Sequence, residues 1–428
     1  MADKKSGKPI PKKTTKKSSD DDGFGLAARQ KRKRRKRLIS IVLVLVIILV
    51  CFIVDRFTYV LRDVYTDAVG NPDPKRTSQK VTGIVPAGKD ELLVHMVDVG
   101  QGDCIILQLP DGKTMIIDGG KRSAKNIVLN YIESAGIKVF DYLILTHTDE
   151  DHVGSLDDVL LNTTVKNIYM PDIDTSVITT KVYRDFNDAV KKEKAEEGAA
   201  VHYNAVGQTI VSGDEANPYC FYWFTPSETL LKKLRKSQNA HTVNSVSNIM
   251  LLEYSGRKIM LTGDATAETE AEFVETLKAG LHLNPMTNRT FTVADVNVDI
   301  LKSGHHGSDT SSSAEFVSLI DPEYALISVG KGNSYKHPKD EVLQRYKNYI
   351  KDETTGKYNL YRTDECGNVT VTLKPDTDTP SEPAAIVIAT SNLGTAQGVD
   401  TIVSVVVPKV YFSELLYLFG KRIVRSVF

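Results

Sequence analysis

The sequence predicts an α/β protein in which two β-sheets pack face to face between outer helical layers, a four-layer αββα sandwich, preceded by one transmembrane helix. Two observations predict the sandwich. Strand-like apolar runs alternate with helical patterns in two batches, over 92–170 and 219–329, and each batch ends its strands in Asp or His. Two sheets held between helices bring such strand ends to one edge. A third observation predicts the helix: residues 38–54 are nearly all Ile, Leu and Val and follow seven consecutive basic residues, 31–37.

With 428 residues, 41% of them hydrophobic, the chain can fill one large core or two ordinary ones. Its formal net charge is zero, but residues 1–37 hold fifteen Lys or Arg against four Asp, which leaves 39 basic and 50 acidic side chains in the rest. Residues 1–37 are therefore expected to be a basic, disordered, cytoplasmic tail. Residues 38–54, interrupted only by Ser40 and Cys51, sit at the lower length limit for a membrane span. The basic block beside them gives a positive-inside orientation: a single-pass cell-membrane protein with its N-terminus in the cytoplasm and everything beyond residue 55 outside. A cleaved signal peptide is the alternative, although Asp55, Arg56 and Phe57 offer no small-x-small cleavage site. Beside a span, the basic run suits anionic lipid of the bilayer better than nucleic acid. Of the four Cys, Cys51 falls in the span; Cys104, Cys220 and Cys366 are scattered, with neither metal spacing nor a disulfide framework.

Residues 55–90, with Gly70, Pro72, Pro74, Gly83, Pro86 and Gly88, form a linker. The folded domain spans 91–373. Residues 92–97 form a strand that runs into Gly100-Gln101-Gly102-Asp103, a turn needing positive φ or a close backbone approach. It is either a plain hairpin turn or a site-shaping one. It lacks the third glycine of a dinucleotide fingerprint. Strands at 104–109 and 114–117 flank the turn at 110–113, and the second ends at Asp118. A helix follows at 123–135. The strand 142–145 delivers Thr146-His147-Thr148-Asp149-Glu150-Asp151-His152-Val153-Gly154. Here four potential ligands, His147, Asp149, Asp151 and His152, fall within six positions. Imidazole and carboxylate together suit zinc, manganese or iron; a solvated acidic turn with two incidental histidines is the other reading.

Further on, a helix at 154–160, a strand at 165–169 and a charged helix at 179–197 follow. Tyr183, Phe186 and Trp223 are expected in the core. Strands at 248–254 and 258–261 lead to Thr262-Gly263-Asp264, where Asp264 is either a ligand or a cap for the helix at 265–279. A strand at 295–301 leads to Lys302, Ser303, Gly304, His305 and His306, a second source of ligands or a polar surface loop. After the strand 324–329, the loop 330–338 carries Tyr335, Lys336 and His337 ahead of a helix at 339–349 that Pro338 opens. A hairpin is expected over 361–373 around Glu365, Cys366 and Gly367. Residues 374–387 read as a disordered linker, opening a C-terminal segment, 374–428, whose apolar patches are too short to span a membrane.

Taken together, His95-x-x-Asp98-Val99-Gly100-Gln101-Gly102-Asp103, Ile117-Asp118-Gly119-Gly120, Thr146-His147-x-Asp149-x-Asp151-His152-x-Gly154, Asn244 to Ser247, Leu261-Thr262-Gly263-Asp264, His305-His306-Gly307-Ser308 and Arg362-Thr363-Asp364-x-x-Gly367 resemble the metallo-beta-lactamase superfamily. Within it they are similar to the hydrolase-like domain of ComEC-type DNA-uptake competence proteins. The resemblance implies the αββα fold with one or two metal ions at its edge, zinc or, given the oxygen-rich ligands, manganese. His147 and Asp149 would hold the first ion and Asp151 and His152 the second. Asp264 would bridge both, and His305, in preference to His306, would be the last histidine ligand. The superfamily's middle histidine has no convincing match: His241 is nearby, but the competence-type pattern there is the pair Asn244 and Ser247. Asp103 and Asp118 would orient ligands or brace the turn. Asp151 would orient the activated water, and His305, His306 or Lys302 would join the metal in steadying the developing charge. The implied function is a membrane-anchored, extracytoplasmic, metal-dependent phosphodiesterase or nuclease acting on DNA or another phosphodiester. The alternatives are a hydrolase of a small ester, lactone or β-lactam, and a non-catalytic binding or scaffold module with a degenerate site.

Overall fold

The computed structural model describes residues 88, 90–212, 214, 218–350, 356–375 and 383–391. The basic tail, the expected span at 38–54, nearly all of the linker at 55–90 and the apolar patches near the C-terminus lie outside them. Among the described residues no helix is long and apolar enough to cross a membrane.

The first sheet has eight strands, in spatial order Ala385–Thr390, Val369–Lys374, Leu92–Met96, Ile105–Gln108, Thr114–Ile117, Val139–Ile144, Thr164–Met170 and Ala200–Tyr203. The second has seven: Leu360–Arg362, Tyr324–Ile327, Ile300–Lys302, Arg257–Leu261, Met250–Tyr254, Tyr219–Trp223 and Thr209–Val211. Period-two alternation decides which face each side chain takes. Leu92, Val94 and Met96 meet Met250, Leu252, Ile259 and Leu261 in a core between the sheets. Trp223 stacks there on Tyr169 of the opposite sheet, centroids 5.6 Å apart. Ile106, Ile116 and Leu143 face outward into a second core shared with Tyr131, Tyr183, Phe186 and Leu234, from the helices Lys125–Ser134, Lys181–Glu196 and Glu228–Lys236. Leu251, Met260 and Leu301 face a third core under the helices Ala267–Lys278, Ala314–Ile320 and Asp340–Lys347. Three apolar layers, each side chain contributing roughly 1.5–3 kcal/mol when fully buried, make the αββα sandwich. The aromatics Tyr183, Phe186 and Trp223 are fully buried, as expected.

The C-terminal part departs from expectation. The segments around Tyr361 and Leu373 are not a hairpin. Leu360–Arg362 pairs in parallel with Tyr324–Ile327 in the second sheet, whereas Val369–Lys374 pairs with Leu92–Met96 in the first. The chain crosses between sheets at Thr363–Cys366, a single helical turn. Part of the expected linker is ordered too: Ala385–Thr390 adds an antiparallel edge strand to Val369–Lys374. The strand expected at 295–301 shrinks to Ile300–Lys302, because Asp295 takes the backbone N–H of Thr292 (2.6 Å) and starts a 3₁₀ turn over Val293–Val296.

What positions the site is a pair of parallel contacts. Thr114–Ile117 runs parallel to Val139–Ile144, and Arg257–Leu261 runs parallel to Ile300–Lys302. The carboxyl ends of three of these strands lead to the candidate ligands and that of the fourth, Thr114–Ile117, to Asp118, which orients His152; this is the usual place for a ligand site in an α/β sheet.

Candidate metal centre

From the first sheet, Asp118 follows its strand in a left-handed conformation (φ 59°). Its buried carboxylate accepts from Thr146 N (2.8 Å), Thr146 Oγ1 (2.7 Å) and His152 Nδ1 (2.7 Å). Because Thr146 spends its hydroxyl proton on Asp118, its oxygen is left to accept from His147 Nδ1 at 3.1 Å. Asp149 then sits at the N-cap position of the short helix Glu150–Val153, which carries Asp151 and His152 into the site.

From the second sheet, Asp264 N donates to Ser247 Oγ (3.2 Å). His305 and His306 both adopt left-handed backbone (φ 45° and 55°) inside the turn Gly304–Gly307. Two consecutive non-glycine residues there store strain, and the result is that both rings face Asp264. His306 Nδ1 donates to Ser328 O (2.9 Å), and Thr363 fixes that strand end by hydrogen bonds to both backbone groups of Val329.

These contacts set the same tautomer three times. With Nδ1 of His147, His152 and His306 committed to oxygen acceptors, each Nε2 carries a lone pair. All three Nε2 atoms, and Asp264 Oδ1, are buried with no hydrogen-bond partner. Around Asp264 they converge: His152 Nε2 lies 3.2 Å from Oδ1, and His306 Nε2 and His147 Nε2 lie 3.5 Å and 4.0 Å from Oδ2. His306 Nε2 is also 3.5 Å from Asp151 Oδ2. Overlapping sets of His147, His152 and Asp264, and of Asp151, His152 and His306, each have ligand atoms within 4.8 Å of one another. Lone pairs aimed at a carboxylate in a buried pocket need positive charge between them. A divalent cation meets that need with the donor set of a zinc or manganese site.

The same demand for positive charge appears in the titration directions: protons on His152 and His306, which a bound cation would displace to free the Nε2 lone pairs, meet it beside Asp264. Burial opposes charge on His152, yet Asp264 and Asp118 outweigh it and hold its pKa well above 6.5. Burial is likewise outweighed at His306, chiefly by Asp264, which raises it to about 10. Asp264 itself stays well below the usual carboxylate range, because His152, His306 and His305 outweigh its burial. His147 is pushed down to about 3 by burial and then by His152. Asp149, at the rim, is pushed up to about 7 by burial and by Asp151 and Asp264.

Every sequence-predicted residue gathers at this edge, but three places differ from expectation. His306, not His305, fits the ligand position. His306 is 1% exposed and belongs to the clustered donors, whereas His305 is 23% exposed, with Nε2 at 3.7 Å from Asp264 Oδ2. Lys302 does not reach the open face. It is fully buried, pairs with Asp103 and donates to Gly263 O (3.0 Å), so it acts on the site through Asp103. Burial is outweighed by Lys302 together with His306 and His152, which hold Asp103 at about 2, and Asp103 faces His306 Nδ1 at 3.4 Å. Asp149 stands aside from the clustered donors, 3.9 Å from His147 Nε2. Asn244 lies between Asp149 and His305. With its amide nitrogen toward Asp149 Oδ2 (2.9 Å), its oxygen faces His305 Nε2 (3.2 Å). Ser247 supports Asp264 from below. Sequence reasoning missed Thr146, Ser328 and Thr310, whose hydroxyl lies 2.8 Å from His305 Nδ1. Only Thr146, flanking His147, had any local signal.

The turn at 100–103 shapes the site. Ser328 Oγ donates to Gly102 O (2.7 Å), Asp103 N donates to Asp151 O (3.0 Å) and Gly330 N donates to the Gln101 side chain (3.3 Å). A methyl group at Gly102 would collide with the Asp151 carbonyl. Gly102→Ala is expected to displace Asp151, lower the melting temperature by several degrees and cut metal content. Calorimetry and elemental analysis check this; wild-type values for both would contradict it.

A family model described as the metallo-beta-lactamase superfamily matches residues 97–331. The chain is 28% identical over 308 residues to ComE operon protein 3 of Bacillus subtilis (strain 168), covering 67% of this chain and 34% of that protein. It is 27% identical over 265 residues to Recombination protein 2 of Haemophilus influenzae, covering 60% and 26%. It is 24% identical over 257 residues to Competence protein ComA of Neisseria gonorrhoeae, covering 60% and 30%. The chain thus spans about a third or less of the length of these relatives.

Proposed function

The chain belongs to the metallo-beta-lactamase superfamily, and from that premise we propose that it is a metal-dependent phosphodiesterase acting on nucleic acid, anchored in a membrane with its catalytic domain outside the cytoplasm. The observation that carries the reading is the convergence of three orphaned imidazole Nε2 atoms on Asp264. His147, Asp151, His152, Asp264 and His306 would hold the metal, with Asp149 completing the set from the rim. A bound divalent ion supplies Lewis-acid charge and lowers the pKa of water.

The chain's own residues divide the remaining work. Asp151, 20% exposed, orients the water. Asp118 and Ser328 fix the rings of His152 and His306. His305, whose pKa burial lowers, presents a neutral imidazole at the rim; held through Nδ1 by Thr310, it would turn its Nε2–H from the Asn244 oxygen to a phosphoryl oxygen. The Neisseria relative is a competence protein by name, which fits DNA handling.

A local surface feature offsets the acidic average of the residues beyond the tail. The helix Glu228–Lys236 exposes Lys232, Lys233, Arg235 and Lys236 and leads directly into Ala240–Asn244, which ends at the site residue Asn244. Lys233 pairs with Glu268, and Arg235 with Glu228 and Asp172. Among the described residues no acid pairs with Lys232 or Lys236. Two unneutralised cations on a helix that leads into the segment ending at Asn244 suit a phosphate backbone. Replacing both, Lys232→Glu with Lys236→Glu, is expected to weaken oligonucleotide binding. It should also reduce the slope of log affinity against log salt by about one per lost phosphate contact. An unchanged slope would contradict this surface.

The direct test uses the full chain in detergent, with metal quantification and assays on single-stranded DNA, bis-p-nitrophenyl phosphate and a lactone. Diester hydrolysis abolished by chelation and restored by zinc or manganese is expected. Lactone turnover without diester turnover would favour the small-ester alternative, and neither turnover nor bound metal would favour the scaffold. For the anchor, protease added to intact cells should cleave the domain; full protection would overturn the orientation.

A further inference from the structure

We propose that the loop 330–338 forms a nucleobase-stacking subsite beside the metal edge, with Tyr335 as its platform. This rests on the phosphodiesterase reading above. The supporting feature is a ladder of rings that runs from the site to the surface. His305, 3.7 Å from Asp264 Oδ2, meets His337 edge-on at 5.6 Å and 74°. His337 in turn stacks on Tyr335 at 5.6 Å and 24°. Tyr335 rests on His337 and is still 56% exposed, so much of the residue stays accessible to solvent.

Exposure alone would mean little: Tyr203 is equally exposed and stacks on nothing in this way. What distinguishes Tyr335 is that its loop is held rigid against the site. Asn333 donates to Gly330 O (2.9 Å) and His337 O (2.7 Å), and accepts from His337 N (3.0 Å). Lys339 Nζ donates to Tyr335 O (3.1 Å). The far end is fastened to the histidine turn, where Lys339 N donates to Gly307 O (2.9 Å) and Gly307 packs against Pro338 too closely to admit a side chain. A preorganised aromatic loses little entropy when a second ring settles on it. Lys331 and Lys336, exposed on the same loop, supply charge for the neighbouring phosphate. Stacking on a π-face is sequence-tolerant, so the substrate class this subsite selects is single-stranded nucleic acid of mixed sequence.

The experiment compares a single-stranded oligodeoxynucleotide with an oligomer of equal length carrying abasic tetrahydrofuran residues, using the metal-loaded full chain. Wild type, Tyr335→Ala, Tyr335→Phe and Tyr335→Trp are measured by steady-state kinetics and by fluorescence-anisotropy binding. The expected result is a rise of about 5- to 100-fold in KM and Kd for the base-containing oligomer in Tyr335→Ala. Its kcat should be unchanged, its abasic values should equal wild type, and both aromatic replacements should restore binding. If Tyr335→Ala leaves KM unchanged while wild type cleaves DNA, the subsite is wrong and the phosphodiesterase reading stands. An equal loss on base-containing and abasic oligomers would mean a role in loop structure and would also overturn the subsite. If wild type binds metal but neither binds nor cleaves either oligomer, the underlying reading fails and this one with it.

Discussion

Asp264→Asn is expected to empty the centre of metal while leaving the fold intact. The Asp264 carboxylate faces all four imidazoles, with oxygens 3.2 Å from His152, 3.5 Å from His306, 3.7 Å from His305 and 4.0 Å from His147. No other carboxylate in the site stands among all of them. An amide of the same size keeps the backbone bond to Ser247 but brings no charge and turns a donor toward one of the rings. Metal content should fall below about a tenth of wild type, and diester hydrolysis should drop about 10³-fold, on the order of 4 kcal/mol of barrier. Circular dichroism should be unchanged. A variant that retains wild-type metal content would remove Asp264 from the ligand set.

The second large effect separates two neighbours in the chain. His306→Ala is expected to lose metal and nearly all activity. It removes an orphaned Nε2 from the cluster and leaves the buried Ser328 carbonyl without its donor, a cost of about 1–3 kcal/mol in stability. His305→Ala is expected to keep its metal and lose turnover. The His305 ring is already held by Asn244 and Thr310 and lies at the rim, where it can meet substrate. Elemental analysis of the two variants side by side distinguishes them. Metal lost from His305→Ala and kept in His306→Ala would reverse the assignment.

That pair also shows where sequence reading stops. The ligand-bearing strand ends were legible because the chemistry is concentrated: four donors between His147 and His152 and two adjacent histidines between glycines have few other uses. Which of His305 and His306 turns inward depends on two left-handed backbone conformations and on the distant Ser328 carbonyl, neither of which leaves a local trace. Lys302 reads as a strand-end cation that steadies charge in the site, and only tertiary packing reveals its burial against Asp103. The segments ending at Arg362 and beginning at Val369 look like two arms of a hairpin, since period-two patterning fixes a strand's faces and not its partner. Here each arm joins a different sheet. Asn244 drew attention only through family resemblance, and its contact with Asp149 and His305 gives that resemblance a physical basis.

The most direct measurement is the metal content of the purified full chain after equilibration with zinc or manganese, read by elemental analysis against Asp264→Asn prepared in parallel. The account predicts one or two tightly held ions per wild-type chain and almost none in the variant. A wild-type chain that binds no divalent ion, or a variant that binds as much, would contradict it.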